Sequence, residues 1–363
     1  MSILKNNRIN VARPSLPEKK EFLKHLNSLF KTHYLTTNGP LLKLLEKKLK
    51  KKLKVKHLLL VSNATVGLQI ALKTFDPKKK IATTPFTYVS TYNAIKWIGK
   101  KEKFFDIKLT DLNIDEKKLD LKSLKDCSGI LTTHSYGNPC NVVELEKISK
   151  KYNKFLIFDA AHCFNSVYKN KSLLSYGDAS VISFQATKFF NTCEGGAIIF
   201  KKYRDYKIAK KLSQIGYDYN EKKNIPGEGT NGKMSELNAA WGLSLIKRID
   251  EIFKKRRKVF NLYKKHLYKK VFIPLSPRNL NYLYIPIIFK SNKQLNECIK
   301  ILNKKNIFPR RYFYPSLNLI NSKSPSMKVS ENVSKRILCL PMHEYLTIND
   351  IKKISLIVNL YFN

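Results

Sequence analysis

Three places in the sequence combine residue type and setting in a way that allows chemistry. The first is Lys188, which closes Ser183-Phe-Gln-Ala-Thr-Lys188 and precedes Phe189-Phe-Asn-Thr-Cys-Glu-Gly-Gly196. Many lysines of this chain come in pairs and triplets, but this one leaves an apolar run, enters a polar turn bounded by glycines and has aromatic neighbours. Burial lowers the pKa of an ammonium and frees the amine to form a Schiff base with a carbonyl. The second is Asp159, at the end of Phe155-Leu-Ile-Phe-Asp159 and followed by Ala160, Ala161 and His162. A carboxylate there can hold a protonated ring nitrogen, and the small residues let a flat ligand lie close. The third is Ser62-Asn-Ala-Thr65, which runs into a helical pattern. A helix start offers free N–H groups and a positive dipole end, and a threonine adds its hydroxyl, so a phosphate fits. Taken singly, the last two have plain structural explanations, an ordinary N-cap and a capping Asp before a turn. A phosphate cradle, a strand-end carboxylate and a buried lysine together describe a pyridoxal phosphate site.

These residues need elements that bring them to one place. Short apolar runs recur through the first two-thirds of the chain: 57–62, 80–84, 103–107, 129–134, 155–159, 180–184 and 196–200. Continuous, β-branched runs of this length are what strands buried on both faces require. Helical patterns lie between several of them, as at Leu68, Ala71, Leu72 and Phe75, or Val143, Leu145 and Ile148. The alternation predicts an α/β domain around a mostly parallel seven-stranded sheet, with ligands at the carboxyl ends of its strands. Residues 224–233 are dense in turn formers and read as an exposed loop. Ser235 caps a long helix reaching about Tyr268, whose charged second half crosses to the next domain. Beyond it the pattern predicts a strand near Tyr282 to Phe289, a helix near Lys293 to Lys304, a strand at Ile337 to Leu340 and a last helix from Thr347. The expected division is a large α/β domain over 1–249 and a small C-terminal α+β domain over 250–363, with the N-terminal segment packing on the small one.

Composition narrows the function classes. The 363 residues include 43% hydrophobic side chains, which excludes disorder from poor hydrophobicity. The formal charge of +42 invites a nucleic-acid reading, but only 10 of the 69 basic residues are Arg and the Lys excess is spread along the whole chain. A genome-wide bias toward Lys, Asn and Ile gives the same count. The six cysteines form no C-x-x-C pair and no metal-like spacing with the seven histidines, so no metal is expected. No run approaches the ~20 apolar residues of a membrane span, and Met1 to Pro14 lacks the apolar core of a signal peptide. A reduced, cytoplasmic protein with no nucleic-acid or membrane partner is the expectation.

The chain resembles the DegT/DnrJ/EryC1/StrS family of nucleotide-sugar aminotransferases. The likeness rests on Thr36-Thr-Asn-Gly-Pro40, Ser62-Asn-Ala-Thr65, Thr84-Pro-Phe-Thr-Tyr-Val-Ser-Thr91, Tyr136-Gly-Asn-Pro139 and Asp159-Ala-Ala-His162. It continues through Ser183 to Lys188, Glu194-Gly-Gly196 and Gly229-Thr-Asn-Gly-Lys-Met-Ser-Glu-Leu-Asn-Ala-Ala240. These landmarks fall in order over almost the full chain, and they imply a fold-type I aminotransferase that uses pyridoxal 5'-phosphate. By the resemblance, Lys188 carries the cofactor and shuttles the proton, and Asp159 keeps the pyridine nitrogen protonated. Tyr88 stacks on the ring, and Ala64, Thr65 and Ser183 bind the phosphate. His162 takes a place often held by Gln near the ring hydroxyl. Asn231 matches a residue that reaches the phosphate from the partner subunit, which implies a homodimer with shared sites. A branch of sugar dehydratases has His in place of this lysine, so the retained Lys188 implies transamination with glutamate as donor. The residues after Lys188 look like those of enzymes acting on dTDP-4-keto-6-deoxyglucose, which would give dTDP-4-amino-4,6-dideoxyglucose. UDP- or GDP-linked ketones, 3-keto sugars, and a non-catalytic nucleic-acid-binding or regulatory protein on the same fold stay open. By chain position Tyr312, Tyr314 and His343 are sugar-side candidates, and small-domain packing explains them equally well.

Overall fold

The seven apolar runs become the strands of one sheet. In chain order these are β1 (His57–Val61), β2 (Lys80–Thr83), β3 (Glu102–Phe104), β4 (Cys127–Thr133), β5 (Phe155–Asp159), β6 (Ala179–Ser183) and β7 (Gly196–Phe200). The computed structural model describes residues 8–217, 227–275, 281–320 and 324–362. The strands lie in the order β1-β7-β6-β5-β4-β2-β3. All neighbours run parallel except β7, which is antiparallel to both β1 and β6. Both faces are covered, as continuous apolar strands demand. On β1, Leu58 and Leu60 enter one core, whereas Leu59 and Val61 enter the core on the opposite face, beneath the helix Ala64–Thr74.

β3 is shorter than its apolar run. Asp106 turns away from the ladder, and its carboxylate accepts the N–H groups of Val329 and Ser330, both at 2.9 Å, at the start of the helix Lys328–Arg336. A helix start favours a carboxylate, so the strand ends where that bond begins.

The long helix expected from Ser235 is two helices. Ser235 Oγ accepts the Asn238 N–H at 3.2 Å, and the first helix spans Glu236–Leu245. A single 3₁₀ turn, Ile246–Arg248, then leads into the helix Ile249–His266. The tighter turn falls where the apolar face changes cores: Leu245, Ile249 and Ile252 pack with the sheet, while Val259, Phe260 and Tyr263 belong to a second core. That second core also holds Ile285, Leu295, Leu338 and Ile354. Its strands Ile285–Ile288 and Ile337–Leu340 pair antiparallel, with the helices Asn292–Lys304 and Ile348–Asn359 following them. The strand expected from Tyr282 starts later because Tyr282 has a φ of 57°, outside the extended region. Near the N-terminus, Ile9–Asn10 pairs parallel with Ile307–Phe308. Of the turn-rich segment 224–233, residues 224–226 lie outside the described residues, and Gly232 O accepts the Ser62 N–H at 2.8 Å.

A buried carboxylate ties two of the sequence landmarks together. Glu236 is 1% exposed and accepts the N–H groups of Leu41 and Leu42 at 2.8 and 2.7 Å, at the start of the helix Pro40–Leu53. A Cβ at Gly39 would meet the Glu236 carboxyl group, so glycine leaves that carboxylate room at the helix start. No helix among the described residues is long and apolar enough to cross a membrane.

Candidate active site

β1, β5 and β6 end at one edge of the sheet, and the antiparallel β7 begins there, so the carboxyl edge gathers the residues singled out above. At the end of β1, Asn63 is extended and its Oδ1 accepts the Val66 N–H at 2.9 Å. The Ala64 and Thr65 N–H groups, next at the helix start, have no acceptor among the described residues. Thr65 Oγ1 donates to Ser90 Oγ at 3.0 Å, which joins this helix start to that of Val89–Trp97, capped by Tyr88. Ser183 ends β6 opposite Gly196, is 7% exposed, and its Oγ accepts the Gln185 N–H at 3.3 Å. Gly196 keeps this place open: a Cβ would lie 2.9 Å from both Ala64 N and Ile182 O.

Asp159, at the end of β5, is 4% exposed. Its Oδ1 accepts the Ala161 N–H at 3.1 Å and its Oδ2 accepts the Thr91 hydroxyl at 2.5 Å. Burial raises its pKa, while these two bonds and the charge of Lys188 oppose the rise. Thr91 was not legible as a partner, although Thr87 and Thr91 stand four apart in a landmark segment.

Lys188 sits in a loop closed at its base by Thr192 N–H to Phe184 O (2.9 Å) and Phe184 N–H to Gly195 O (2.8 Å). Phe184, Phe189 and Phe190 fill the core beneath it, and burying each is worth about 1.5–3 kcal/mol. Asn238 Nδ2 donates to Thr192 O at 2.6 Å, and Trp241 Nε1 to Asn191 Oδ1 at 2.9 Å, so the helix Glu236–Leu245 braces the loop from behind. Lys188 is half-buried, and its amine lies 3.5 Å from Tyr284 Oη. Burial pulls the amine pKa down to about 8, and the Asp159 carboxylate limits the fall.

Aromatic rings wall the other side. His162 is buried, packs edge-on against Tyr284 at 4.8 Å and parallel to Phe313 at 6.1 Å, and its Nδ1 has no hydrogen-bond partner. Burial first, then the Lys188 charge, holds its pKa well below the usual histidine range, so the ring is neutral. Tyr284 stays a phenol because burial pushes its pKa well above the usual tyrosine range. Tyr88 itself is 53% exposed. Tyr284 and Phe313 come from the second half of the chain, and neither stood out in the sequence beyond its element.

Lys188, Asp159, His162, Tyr88, Ser183 and the start at Ala64 and Thr65 therefore form one site. Asn231 does not join it within this chain. It is exposed, bridged through its backbone to Gln214, and no hydrogen bond among the described residues ties its side chain to the others. Of the three sugar-side candidates, Tyr312 packs on Tyr284 with ring centroids 5.6 Å apart. Tyr314 is exposed under the Arg311 guanidinium at 3.5 Å. His343 is buried beside Arg256 and Glu344.

The residues present fit pyridoxal phosphate: unpaired N–H groups at a helix start, an acceptor-only carboxylate at a strand end, an amine of lowered pKa and a neutral imidazole with an unpartnered nitrogen. Comparison with known proteins points the same way. The model of the DegT/DnrJ/EryC1/StrS aminotransferase family matches residues 17–359. A dTDP-4-amino-4,6-dideoxy-D-glucose transaminase of Shigella dysenteriae is 35% identical, over 93% of this chain and 95% of the relative. A protein of the same name from Escherichia coli is 33% identical, over 97% of this chain and 98% of its own length. A crystal structure of DesI in the presence of its TDP-sugar product superposes with a TM-score of 0.91 at 26% identity, covering 97% of this chain and 92% of that one. Since the match takes in both cores and every residue of the site, the chain belongs to the DegT/DnrJ/EryC1/StrS aminotransferase family, whose members transfer amino groups with pyridoxal phosphate.

Proposed function

We propose that this aminotransferase moves an amino group from glutamate to dTDP-4-keto-6-deoxyglucose, giving dTDP-4-amino-4,6-dideoxyglucose. The observation that carries the chemistry is Lys188: its amine, with a pKa of about 8, faces the same space as the Asp159 carboxylate. The sugar rests on the two relatives of that name, which align over nearly the whole chain.

Pyridoxal phosphate, when bound, supplies an electron sink for the carbon that loses its proton. The chain's own groups do the rest. The Ala64 and Thr65 N–H groups and the Thr65 and Ser183 hydroxyls hold the phosphate, and Asn231 from a second copy completes that cradle in a homodimer. Asp159 holds a proton at the ring nitrogen, Tyr88 covers the ring and His162 lies beside it. Lys188 binds the cofactor, takes the proton from one carbon and returns it to another, an acid–base task suited to an amine titrating near working pH. Tyr284 keeps its own proton and so can hold the free amine in place between the two transfers. The enzyme acts in the cytoplasm, and its chain divides near residue 249 into the sheet domain and a smaller C-terminal domain.

The test is incubation of the purified chain with pyridoxal phosphate, glutamate and the dTDP ketone, with UDP- and GDP-linked ketones in parallel. The expected result is 2-oxoglutarate and the aminated dTDP sugar, abolished in Lys188→Ala. Turnover of only a UDP or GDP ketone overturns the sugar assignment, and unchanged turnover in Lys188→Ala overturns the role of the lysine.

A further inference from the structure

A buried helical threonine ordinarily returns its hydroxyl to the carbonyl four residues back, as Thr74 does to Ile70 O in this chain at 2.8 Å. Thr91 does not. Its Oγ1 lies 2.5 Å from Asp159 Oδ2 and 2.8 Å from Thr87 Oγ1, and Thr87 Oγ1 lies 2.6 Å from Thr133 Oγ1. The three threonines are 0%, 2% and 3% exposed. They come from the helix Val89–Trp97, from the loop before it and from the end of β4, and they meet at the Asp159 carboxylate.

Each hydroxyl has one proton, and an ionised carboxylate only accepts. Thr91 must therefore give its proton to Asp159 and receive one from Thr87, which in turn receives one from Thr133. We propose that Thr133, Thr87 and Thr91 form a one-way chain of hydroxyl donors that holds the Asp159 carboxylate ionised and aimed at the ring nitrogen. Thr91 is a positioning residue, because it acts through Asp159. Successive hydroxyls polarise one another in a low-dielectric interior, so the terminal donor is stronger than an isolated threonine. A carboxylate sunk this deep is driven toward its neutral form, and a neutral Asp159 could not keep a proton on the ring nitrogen. The other titratable groups that act on Asp159 are Lys188, whose charge helps, and the Cys163 thiol, which burial keeps neutral; the Ala161 N–H adds a second donor to the carboxylate. The proposal rests on the pyridoxal phosphate reading of the site.

The test titrates Asp159 itself. The infrared band of its protonated carboxyl, identified by its loss in Asp159→Asn, is followed against pH in the full cofactor-free chain. Thr91→Val keeps volume and branching but removes the donor, and the midpoint should rise by about one pH unit or more. Thr91→Ser should return it to the unsubstituted value, and Thr87→Val should raise it by less than Thr91→Val. In the holoenzyme the pH transition of the bound cofactor's absorbance should move with it. An unchanged midpoint in Thr91→Val, or a Thr91→Ser chain that behaves like Thr91→Val, overturns the proposal. A shift in Thr91→Val with none in Thr87→Val overturns the chain beyond its last member. Should Thr91→Val fail to fold, Thr87→Val decides alone, its unchanged midpoint counting against the proposal. A chain that takes up no pyridoxal phosphate would sink the functional reading, while the infrared titration would still decide this one.

Discussion

Substitution of Gly196 by alanine separates the phosphate cradle from ordinary packing. The new Cβ would lie 2.9 Å from Ala64 N, 2.9 Å from Ile182 O and 3.0 Å from Asn63 C. All three are backbone atoms, so no flexible side chain can yield, and overpacking of this kind costs about 1–3 kcal/mol. The displaced atom is also one of the donors proposed for the phosphate. Misaligning one N–H bond to a charged oxygen costs a further ~1.5–3 kcal/mol of binding, or roughly 10- to 100-fold in affinity. Gly67→Ala provides the contrast: its Cβ meets the Val181 Cγ1 methyl at 2.9 Å, on the face of the same helix that packs against the sheet. Both variants should melt a few degrees lower, at ~2 °C per kcal/mol for a chain of this size. Only Gly196→Ala should bind pyridoxal phosphate at least about tenfold more weakly in an absorbance titration of the cofactor-free chain. Equal affinity in Gly196→Ala and the unsubstituted chain, with the melting point lowered in both variants, would refute the placement of the phosphate at Ala64.

Lys188 makes a prediction about pH. An amine reacts only when neutral, and burial has brought its pKa down to about 8, so attachment of pyridoxal phosphate to the cofactor-free chain should speed up as pH rises and level off above about 8. A rate still climbing steadily past pH 10, as for a solvated lysine, would contradict the buried setting. Glu236→Gln keeps one acceptor for the Leu41 and Leu42 N–H groups but sets an amide NH₂ against the other, which should lower unfolding stability in urea by about 2–3 kcal/mol. A loss below about 0.5 kcal/mol would show that water reaches that helix start.

What the sequence disclosed and what it withheld follow from the range over which each residue finds its partners. Strands buried on both faces must be apolar, so the seven runs announced the sheet, and the polar residues that end the runs of β1, β5 and β6 marked its ligand edge. Asp159, Ser183 and Ser62 to Thr65 were legible for that reason: a run that stops places the next side chain at the ligand edge. Lys188 was legible because its neighbours are aromatic and small where most lysines have lysines. The direction of β7 was not, since an antiparallel strand buried on both faces carries the same apolar run as a parallel one. Nor were the partners of the site residues. Thr91 finds Asp159 across 68 positions and Thr87 finds Thr133 across 46, and a threonine in a helix looks the same whether its hydroxyl goes to a carbonyl or to a carboxylate. Tyr284 reaches Lys188 across 96 positions, a separation that no local pattern spans.

The same distinction explains why the net charge of +42 says so little about function. Most of the lysines are solvated and interchangeable, and where they form surface pairs, as Lys50 does with Glu46 or Lys255 with Glu251, each pair contributes about 0–1 kcal/mol. The charges that organise the molecule are few and buried: Glu236 at a helix start, Asp106 at another, Asp159 at the end of its hydroxyl chain, and Arg256 paired with Glu344 at 3.1 Å. Each is fixed by partners distant in sequence. Lys188 belongs with these and not with the surface lysines, because its amine is set by depth and by one facing carboxylate. Changing many surface lysines to glutamine should therefore alter solubility and salt response and leave the cofactor pH transition in place, whereas Thr91→Val, which changes no formal charge, should move it.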